Sequence, residues 1–251
     1  MKEHYLPSGI WTHPESIDYS ETQKLTLYIT YYLTPPLSLL GSLCFVYAVW
    51  KGKLLSGRCM TRYHRMPRPT CVRLLLGFSI MDSIKSFGGL MFGPWSVPLG
   101  TPFVYRPAGT IQTCAASGFF FNLYAGLWIY SGCLAIYHAL IIRLEWKEEY
   151  LAKRLEPFFH LFAWIYPLVV SILSLRLRCF NPVGGLPGFC WISSVPTACT
   201  RLGLNCYRGE KYLIFSLLVA SGSIVLSFLV ISISFFFVYR KVRMTEKKMA
   251  E

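Results

Sequence analysis

Five long runs of apolar residues, separated by shorter polar and basic segments, dominate the pattern of this chain. Each run has about 20 residues or more, which lets a helix cross about 30 Å of hydrocarbon. The fourth is the shortest, because Pro157 opens it and Pro167 interrupts it. A buried soluble helix explains one such run but not five in one chain. The pattern predicts an all-α membrane protein, a bundle of five transmembrane helices at about 25–50, 72–97, 112–142, 157–175 and 212–239.

The composition agrees with a membrane domain over 25–239. Hydrophobic residues make up 54% of the chain and charged residues 15%, whereas soluble domains carry about 25% charged residues. Residues 1–24 are predicted to be an extracellular tail and residues 240–251 a basic cytoplasmic tail. The first 24 residues lack the pattern of a cleaved signal peptide, so we expect the first run to act as its own insertion signal.

The net charge of +13 is concentrated in a few segments between the apolar runs and does not form one continuous surface. This distribution argues against nucleic acid as the partner. The segment 51–73 carries seven basic residues and no acidic one, whereas 98–111 carries only Arg106. Short basic loops stay in the cytoplasm. The N-terminus is therefore predicted outside and the C-terminus inside, with the protein in the plasma membrane. The segment 176–211 has five basic residues on the outer side, but long loops follow this rule poorly.

Cysteine placement gives the same topology. Disulfides persist on the oxidising side of a membrane. Zinc is the alternative, but the spacings contain no Cys-x-x-Cys pair and no neighbouring histidines. We therefore predict disulfides and no metal site, with at least one thiol left free or bonded to another chain. Five of the nine cysteines fall on the predicted outer side: Cys114, Cys179, Cys190, Cys199 and Cys206.

Charged residues interrupt the second predicted span. Asp82 and Lys85 stand three residues apart, so they share one helix face near the middle of the bilayer. A charge there is costly and mostly faces the bundle interior. A self-neutralising structural pair and a polar switch or ion site are both open. Trp95 follows near the outer interface, where tryptophan is favoured.

The third predicted helix carries small residues at seven-residue steps: Gly118, Ala125, Gly132 and Ala139. Small residues let helices approach closely in lipid, so this helix is predicted to lie at the centre of the bundle. A dimerisation stripe is the alternative, with a receptor dimer as the result. Asn122 is predicted to make either an interhelical hydrogen bond or a ligand contact. A serine stripe in the fifth helix is predicted to face its neighbours: Ser216, Ser223, Ser227 and Ser234.

Motifs of catalysis are missing from the sequence. There is no H-E-x-x-H, no G-x-S-x-G and no P-loop. His138 and His160 are single histidines, for which hydrogen bonding is a better interpretation than metal binding. We predict that the protein is not an enzyme and needs no cofactor.

Four local patterns follow one another along the chain. The third helix has Cys114-Ala-Ala-Ser-Gly-Phe-Phe and then Asn122, and the fourth has His160-Leu-Phe-Ala-Trp-Ile-Tyr-Pro167. The outer loop has Phe189-Cys-Trp-Ile192, and the fifth helix ends in Tyr239-Arg-Lys-Val-Arg243. In their order and spacing, these patterns resemble the G-protein-coupled receptors of the cAMP-receptor-like class, which is related to the secretin-type receptors. The resemblance extends from about residue 25 to the last residue.

This resemblance implies seven helices, an extracellular ligand and an intracellular heterotrimeric G protein. It further implies a disulfide between Cys114 and Cys190 and a structural role for Trp164 and Pro167 in the fourth helix. Candidates for the ligand pocket are Asn122, Trp95 and Trp191. Candidates for the surface that faces the G protein are Arg143, Lys147, Arg154, Arg240, Lys241 and Arg243.

The chain departs from the family in having five apolar runs, with none for the sixth and seventh helices. Three functions follow as hypotheses. The chain is a receptor or the first five helices of one, or a five-helix truncated receptor that modulates a full-length partner. A small transporter or membrane enzyme is the third, and its motivation is the Asp82 and Lys85 pair.

Overall fold

The computed structural model describes residues 20–51, 69–101, 104–183, 188–196, 199–200 and 203–250. Residues 1–19 of the predicted tail and most of the predicted basic loop, 52–68, lie outside the described residues. Nine α-helices occupy the described parts: α1 Glu21–Trp50, α2 Thr70–Lys85, α3 Gly93–Ser96, α4 Ile111–Asn122, α5 Tyr124–Leu144, α6 Glu148–Arg154, α7 Glu156–Arg176, α8 Tyr212–Val219 and α9 Leu226–Ala250.

Helical structure is present in all five predicted spans, but it is divided differently. One π-helical turn, Ser86–Leu90, extends α2, and another, Ala220–Val225, joins α8 to α9. Among the described residues, four stretches are long and apolar enough to cross a membrane: Glu21–Trp50, Ile111–Leu144, Glu148–Arg176 and Tyr212–Met249. The second predicted span is not among them. Its α-helix has 16 residues and carries Asp82 and Lys85, so the count of five membrane helices stays a prediction.

Capping residues fix where α1 and α4 begin. The Ser20 hydroxyl accepts a hydrogen bond from the Gln23 amide, and the Gln23 side chain accepts one from the Ser20 amide. Thr110 and Thr113 form the same reciprocal arrangement before α4. Such a box satisfies amide groups that a helix start leaves without intrahelical partners.

The helix α5 lies at the centre of the bundle and contacts α2, α7 and α9. Its Tyr130 is fully buried, with Leu74 and Met81 of α2 and Ala163 of α7 in the same core cluster. Close packing depends on glycine, because a Cβ at Gly77 would lie 2.8 Å from the Tyr130 ring. Packing of small residues against bulky ones replaces the hydrophobic drive inside lipid.

The two ends of the helical bundle differ in the chemistry of the residues they carry. The Cys114–Cys190 bond lies at one, which we call the disulfide end. At the other, which we call the basic end, α5 and α9 finish and the short helix α6 begins. The predicted tail 240–251 is helical as far as Ala250, because α9 continues through it, and its cytoplasmic location stays a prediction.

A two-stranded hairpin at the disulfide end is an exception to the predicted all-α class. Strand β1, Phe180–Pro182, pairs antiparallel with β2, Cys190–Ile192. The register places Asn181 opposite Trp191 and Pro182 opposite Cys190. Strands of three residues cannot form a sheet core, and this hairpin is ordered by its contacts with the helices below it.

Candidate ligand-facing and partner-facing sites

Two disulfides constrain the loop at the disulfide end. Cys114 bonds to Cys190, 76 residues away, with their Cα atoms 5.3 Å apart. Cys199 bonds to Cys206, seven residues away. The pairing that the family resemblance implied is therefore present. Cys179 is the thiol left over, as the odd number predicted, and burial raises its pKa to about 11 while Arg208 opposes the shift.

Asn122 joins three elements below the hairpin. It is fully buried at the end of α4. Its Nδ2 donates to Ser171 Oγ of α7 at 2.9 Å, and its Oδ1 accepts from Trp191 Nε1 of β2 at 3.0 Å. Both halves of the amide have partners, as a buried polar group requires. The interhelical bond is present, and the ligand contact stays a prediction.

Aromatic rings surround the Trp191 indole. The ring of Phe121 lies 4.9 Å from that of Phe189 and 6.2 Å from that of Trp191, and Tyr124 is 5.8 Å from Trp191. These edge-to-face and tilted arrangements are those that aromatic pairs prefer. The hairpin therefore places an apolar ring cluster, with one amide at its base, at the disulfide end of the bundle.

Trp95 does not belong to this cluster. Its exposed side chain lies in α3, and its ring contacts Tyr32 of α1 at 5.4 Å. Tyr32 in turn contacts Tyr28, which lies 5.2 Å from Tyr105 of the loop before α4. Among the contacts of the described residues, Asn122 and Trp191 are brought together, whereas Trp95 is held separately.

Asn181 organises the hairpin, and sequence reasoning missed it. It is buried, and its Nδ2 donates to the carbonyls of Ser193 and Arg178 at 2.8 and 3.0 Å. Its Oδ1 accepts from Arg208 Nε at 2.9 Å. This amide ties the hairpin to the chain that enters α8. A buried position was not predictable from its surroundings, because Pro182 marks a turn as readily as a strand.

Asp82 of α2 has partners on two helices. One carboxylate oxygen accepts from Lys85 Nζ at 2.7 Å, and the other accepts from the hydroxyls of Ser38 and Ser42 of α1 at 2.7 Å each. The pair is therefore neutralised within the bundle. The two serines stand four residues apart on one face of α1, which is the signal that could have identified them.

Charged groups join the helices at the basic end. Arg73 of α2 forms a two-point ion pair with Glu156 of α7. On the same face of α7, His160 Nδ1 is 2.8 Å from Tyr130 Oη of α5, which is the hydrogen bonding expected for this histidine. The spacing of Glu156 and His160, at i and i+4, was a sequence signal for this cluster.

The loop helix α6 is tied to the bundle by its first residue. Glu148 Oε1 accepts from the amide of Thr70, the first residue of α2, at 2.6 Å. Its Oε2 accepts from Tyr137 Oη of α5 at 2.7 Å. A carboxylate at the start of α2 satisfies an otherwise unpaired amide and interacts favourably with the helix dipole.

The six predicted partner-facing residues occupy different surroundings. Lys147 and Arg154 are exposed at the two ends of α6, and Arg240 and Arg243 are exposed on α9. Lys241 Nζ lies 2.7 Å from Glu145 Oε1. This ammonium holds the pKa of the Glu145 carboxyl below its usual value.

The sixth residue, Arg143, is half-buried at the edge of a groove between α5 and α9. The groove measures 420 Å³ and is almost entirely apolar, with Ser234 as its other polar residue. Its lining also includes Ile136, Ala139, Leu140, Leu144, Val230, Ile233 and Phe237.

Trp164 and Pro167 of α7 are both in the packed part of the bundle. Trp164 is half-buried against the core cluster that contains Tyr130, and Pro167 is buried within the helix. Their placement agrees with packing, and their structural role stays a prediction.

Comparison with known proteins gives a fold. No protein-family model and no curated protein sequence matches this chain. Among solved structures, squid rhodopsin is similar, with a TM-score of 0.65 and 13% sequence identity. The match covers 98% of this chain and 64% of the rhodopsin chain. The chain therefore has a rhodopsin-like helical fold and spans about two thirds of the length of this structure.

Proposed function

We propose that this chain is a G-protein-coupled-receptor-like signalling protein of the plasma membrane. In this proposal the disulfide end lies outside and senses an extracellular ligand, and the basic end lies inside and couples to a heterotrimeric G protein. The rhodopsin-like fold and the apolar helices support membrane signalling, since squid rhodopsin is such a receptor. The assignment to the cAMP-receptor-like class rests on the local sequence patterns described above.

The observation that carries this proposal is the covalently fixed hairpin over a buried amide. The bond between Cys114 and Cys190 holds β2 against α4, and Trp191 donates to Asn122 in the bundle. A ligand that displaced Trp191 would leave Asn122 Oδ1 without its partner unless the ligand supplied a donor. A ligand for this site would therefore need an apolar body for the ring cluster and one hydrogen-bond donor for Asn122.

The partner side is supported by the chemistry of the basic end. Lys147 and Arg154 are exposed on α6, and Glu148 fixes that helix to α2 and α5. A rigidly attached loop helix with an exposed cation at each end can transmit a rearrangement of the bundle to a docked protein. Charge at the rim of such a surface mainly accelerates association and selects the partner.

Nucleotide-sensitive association with a G protein tests the proposal. Membranes that contain the full chain and a heterotrimeric G protein are depleted of nucleotide and solubilised, and the chain is captured. We expect the G protein to be captured with it and to be released by a non-hydrolysable GTP analogue. Association that ignores the nucleotide contradicts the proposal.

A matched pair of variants localises the contact. Arg143→Gln/Lys147→Gln/Arg154→Gln removes three charges at the basic end, and we expect it to lower capture at least tenfold. The control removes three charges at the disulfide end: Arg106→Gln, Arg176→Gln and Arg178→Gln. Equal loss in both variants would contradict a specific surface at the basic end.

A second candidate function is modulation of a full-length receptor by pairing. The apolar groove between α5 and α9 favours this alternative, because an additional transmembrane helix could bury it. Co-purification with a seven-helix receptor would support the pairing, and a strictly monomeric chain in membranes that contain such a receptor would exclude it. The transporter hypothesis has weaker support, since Asp82 and Lys85 are paired with each other.

A further inference from the structure

The helix α9 carries basic residues on two different faces beyond Tyr239. One face continues a column that steps by seven residues through Ser227, Ser234, Lys241 and Lys248. Ser227 and Ser234 are 5% and 7% exposed, and Lys241 bonds to Glu145 at the end of α5. Because a seven-residue step nearly returns to the same face, this column faces the bundle.

A second face of α9 points away from the bundle. Its residues are apolar before Tyr239 and basic from Arg240 onwards. Its apolar members Leu226, Leu229 and Phe236 are 50%, 51% and 56% exposed, and Ile233 lies at its edge, beside the groove between α5 and α9. In a bilayer these side chains contact acyl chains. This face consists of two rows of residues at seven-residue steps: Leu226–Ile233–Arg240–Lys247 and Leu229–Phe236–Arg243.

Aromatic rings support the arginines of this face. The Arg240 guanidinium lies 5.6 Å from the centre of the Phe236 ring, and that of Arg243 lies 5.6 Å from the Tyr239 ring. Arg243 Nε also donates to Tyr239 Oη at 2.8 Å. Tyrosine favours the membrane–water interface, so Tyr239 places the neighbouring guanidinium groups at the depth of the lipid headgroups.

We propose that Arg240, Arg243 and Lys247, the outward basic surface, bind the headgroup of a phosphoinositide in the adjoining leaflet. The inference rests on the orientation of α9 in the proposed function and not on G-protein coupling. Three cations within about 10 Å along one helix face match a headgroup with several phosphate charges. Guanidinium groups add bidentate recognition of phosphate.

The position of this surface favours a lipid over a protein partner. A protein that inserts between the helices at the basic end meets their inward faces, where Lys241 lies. The outward basic surface instead continues the face that contacts acyl chains. Glu246 is the one acidic residue of the segment 240–250, so the surface keeps a net positive charge for anionic lipid.

Lipid enrichment beside α9 tests the proposal. The full chain, with a fluorophore attached after Glu251, is reconstituted in phosphatidylcholine nanodiscs that contain a trace of headgroup-labelled phosphatidylinositol bisphosphate. Energy transfer then reports the lipid near the end of α9. We expect transfer well above that from labelled phosphatidylcholine and above that from labelled phosphatidylserine.

Two double variants with the same loss of charge decide where the lipid binds. Arg240→Gln/Arg243→Gln should weaken lipid enrichment about 25-fold, from about fivefold for each basic residue removed. Lys241→Gln/Lys248→Gln, on the face towards the bundle, should weaken it less than threefold. All four side chains lie on the part of α9 beyond Tyr239, so both variants should keep the fold, as continued protection of the buried Cys133 and Cys179 thiols from labelling would report.

Two results would overturn the proposal. Equal loss of enrichment in both variants would mean that diffuse charge, and not the outward basic surface, attracts the lipid. Unchanged enrichment in Arg240→Gln/Arg243→Gln, together with weaker capture of the G protein, would assign the surface to a protein partner. Enrichment without any G-protein capture would support the lipid site and refute coupling, so the two proposals fail separately.

Discussion

Replacing Asn122 by alanine tests whether the amide holds the hairpin to the bundle. In the native protein Asn122 is fully buried and bonded to both Trp191 and Ser171. Alanine leaves the indole N–H without its acceptor, which costs about 1–3 kcal/mol, and loses the bond to Ser171, worth about 1 kcal/mol. We therefore expect Asn122→Ala to lower the free energy of unfolding by about 2–4 kcal/mol.

A double-mutant cycle isolates the bond between Asn122 and Trp191. Trp191→Phe removes the indole donor and keeps an aromatic ring in the cluster with Phe121 and Tyr124. Hydrogen bonds between membrane helices give coupling energies that average about 0.6 kcal/mol and reach about 1.7 kcal/mol. Because Asn122 has no exposed surface, we expect a coupling of about 1–1.5 kcal/mol. Ser171→Ala is the control, and its effect should add to that of Trp191→Phe more closely.

Unfolding in mixed micelles of increasing SDS content provides the measurement. The thiols of Cys133 and Cys179 are buried in the folded chain, and their labelling reports its loss. The disulfides stay oxidised throughout, so only the packing of the hairpin and helices changes. A coupling below about 0.3 kcal/mol would refute the reasoning, because the two side chains would then contribute independently and the bond would not fix the hairpin.

Two further predictions concern close packing and thiol chemistry. A Cβ at Gly118 would lie 2.9 Å from the Phe180 ring, whereas one at Gly132 would have ordinary contacts from 3.5 Å. In the same SDS titration we expect Gly118→Ala to destabilise the protein by about 1–3 kcal/mol. We expect Gly132→Ala to be neutral or stabilising by up to about 1 kcal/mol. A larger loss of stability in Gly132→Ala than in Gly118→Ala would contradict the packing. The pKa of the Cys179 thiol is about 11, and the thiolate is the form that reacts. The rate of Cys179 alkylation, measured by mass spectrometry, should therefore rise about tenfold for each pH unit between 8 and 10. A rate that has already reached its plateau at pH 8 would contradict the burial of this thiol.

Features that depend on one local property of the sequence, such as a cysteine at a helix end or a helical spacing of polar residues, could be predicted. Cys114 and Cys190 pair because both lie at one end of the bundle, and the resemblance supplied the partner. The serine stripe of the fifth helix faces neighbours as predicted, with Ser223, Ser227 and Ser234 buried. Helical periodicity is sufficient for such cases, since a hydroxyl inside lipid needs a neighbour.

Features that combine weak local preference with distant contacts were not predictable. Each strand of the hairpin has three residues, too few for a periodic signal, and its order depends on Asn181 and Arg208 across 27 positions. The second span was predicted as one helix to residue 97, whereas the α-helix ends at Lys85 and gives way to a π-helical turn. A π-helical turn has no compositional signature and is usually found at functional positions.

The two ends of the bundle differ in how readily their contacts can be exchanged. At the disulfide end, a covalent bond and the buried amides of Asn122 and Asn181 hold the hairpin. At the basic end, Lys241 pairs with the exposed carboxylate of Glu145, and water or a partner can replace this contact. Exchanging this ion pair between α9 and Glu145 therefore costs far less than breaking the covalent link between β2 and α4, which favours rearrangement of polar contacts at the end where a partner is proposed to bind.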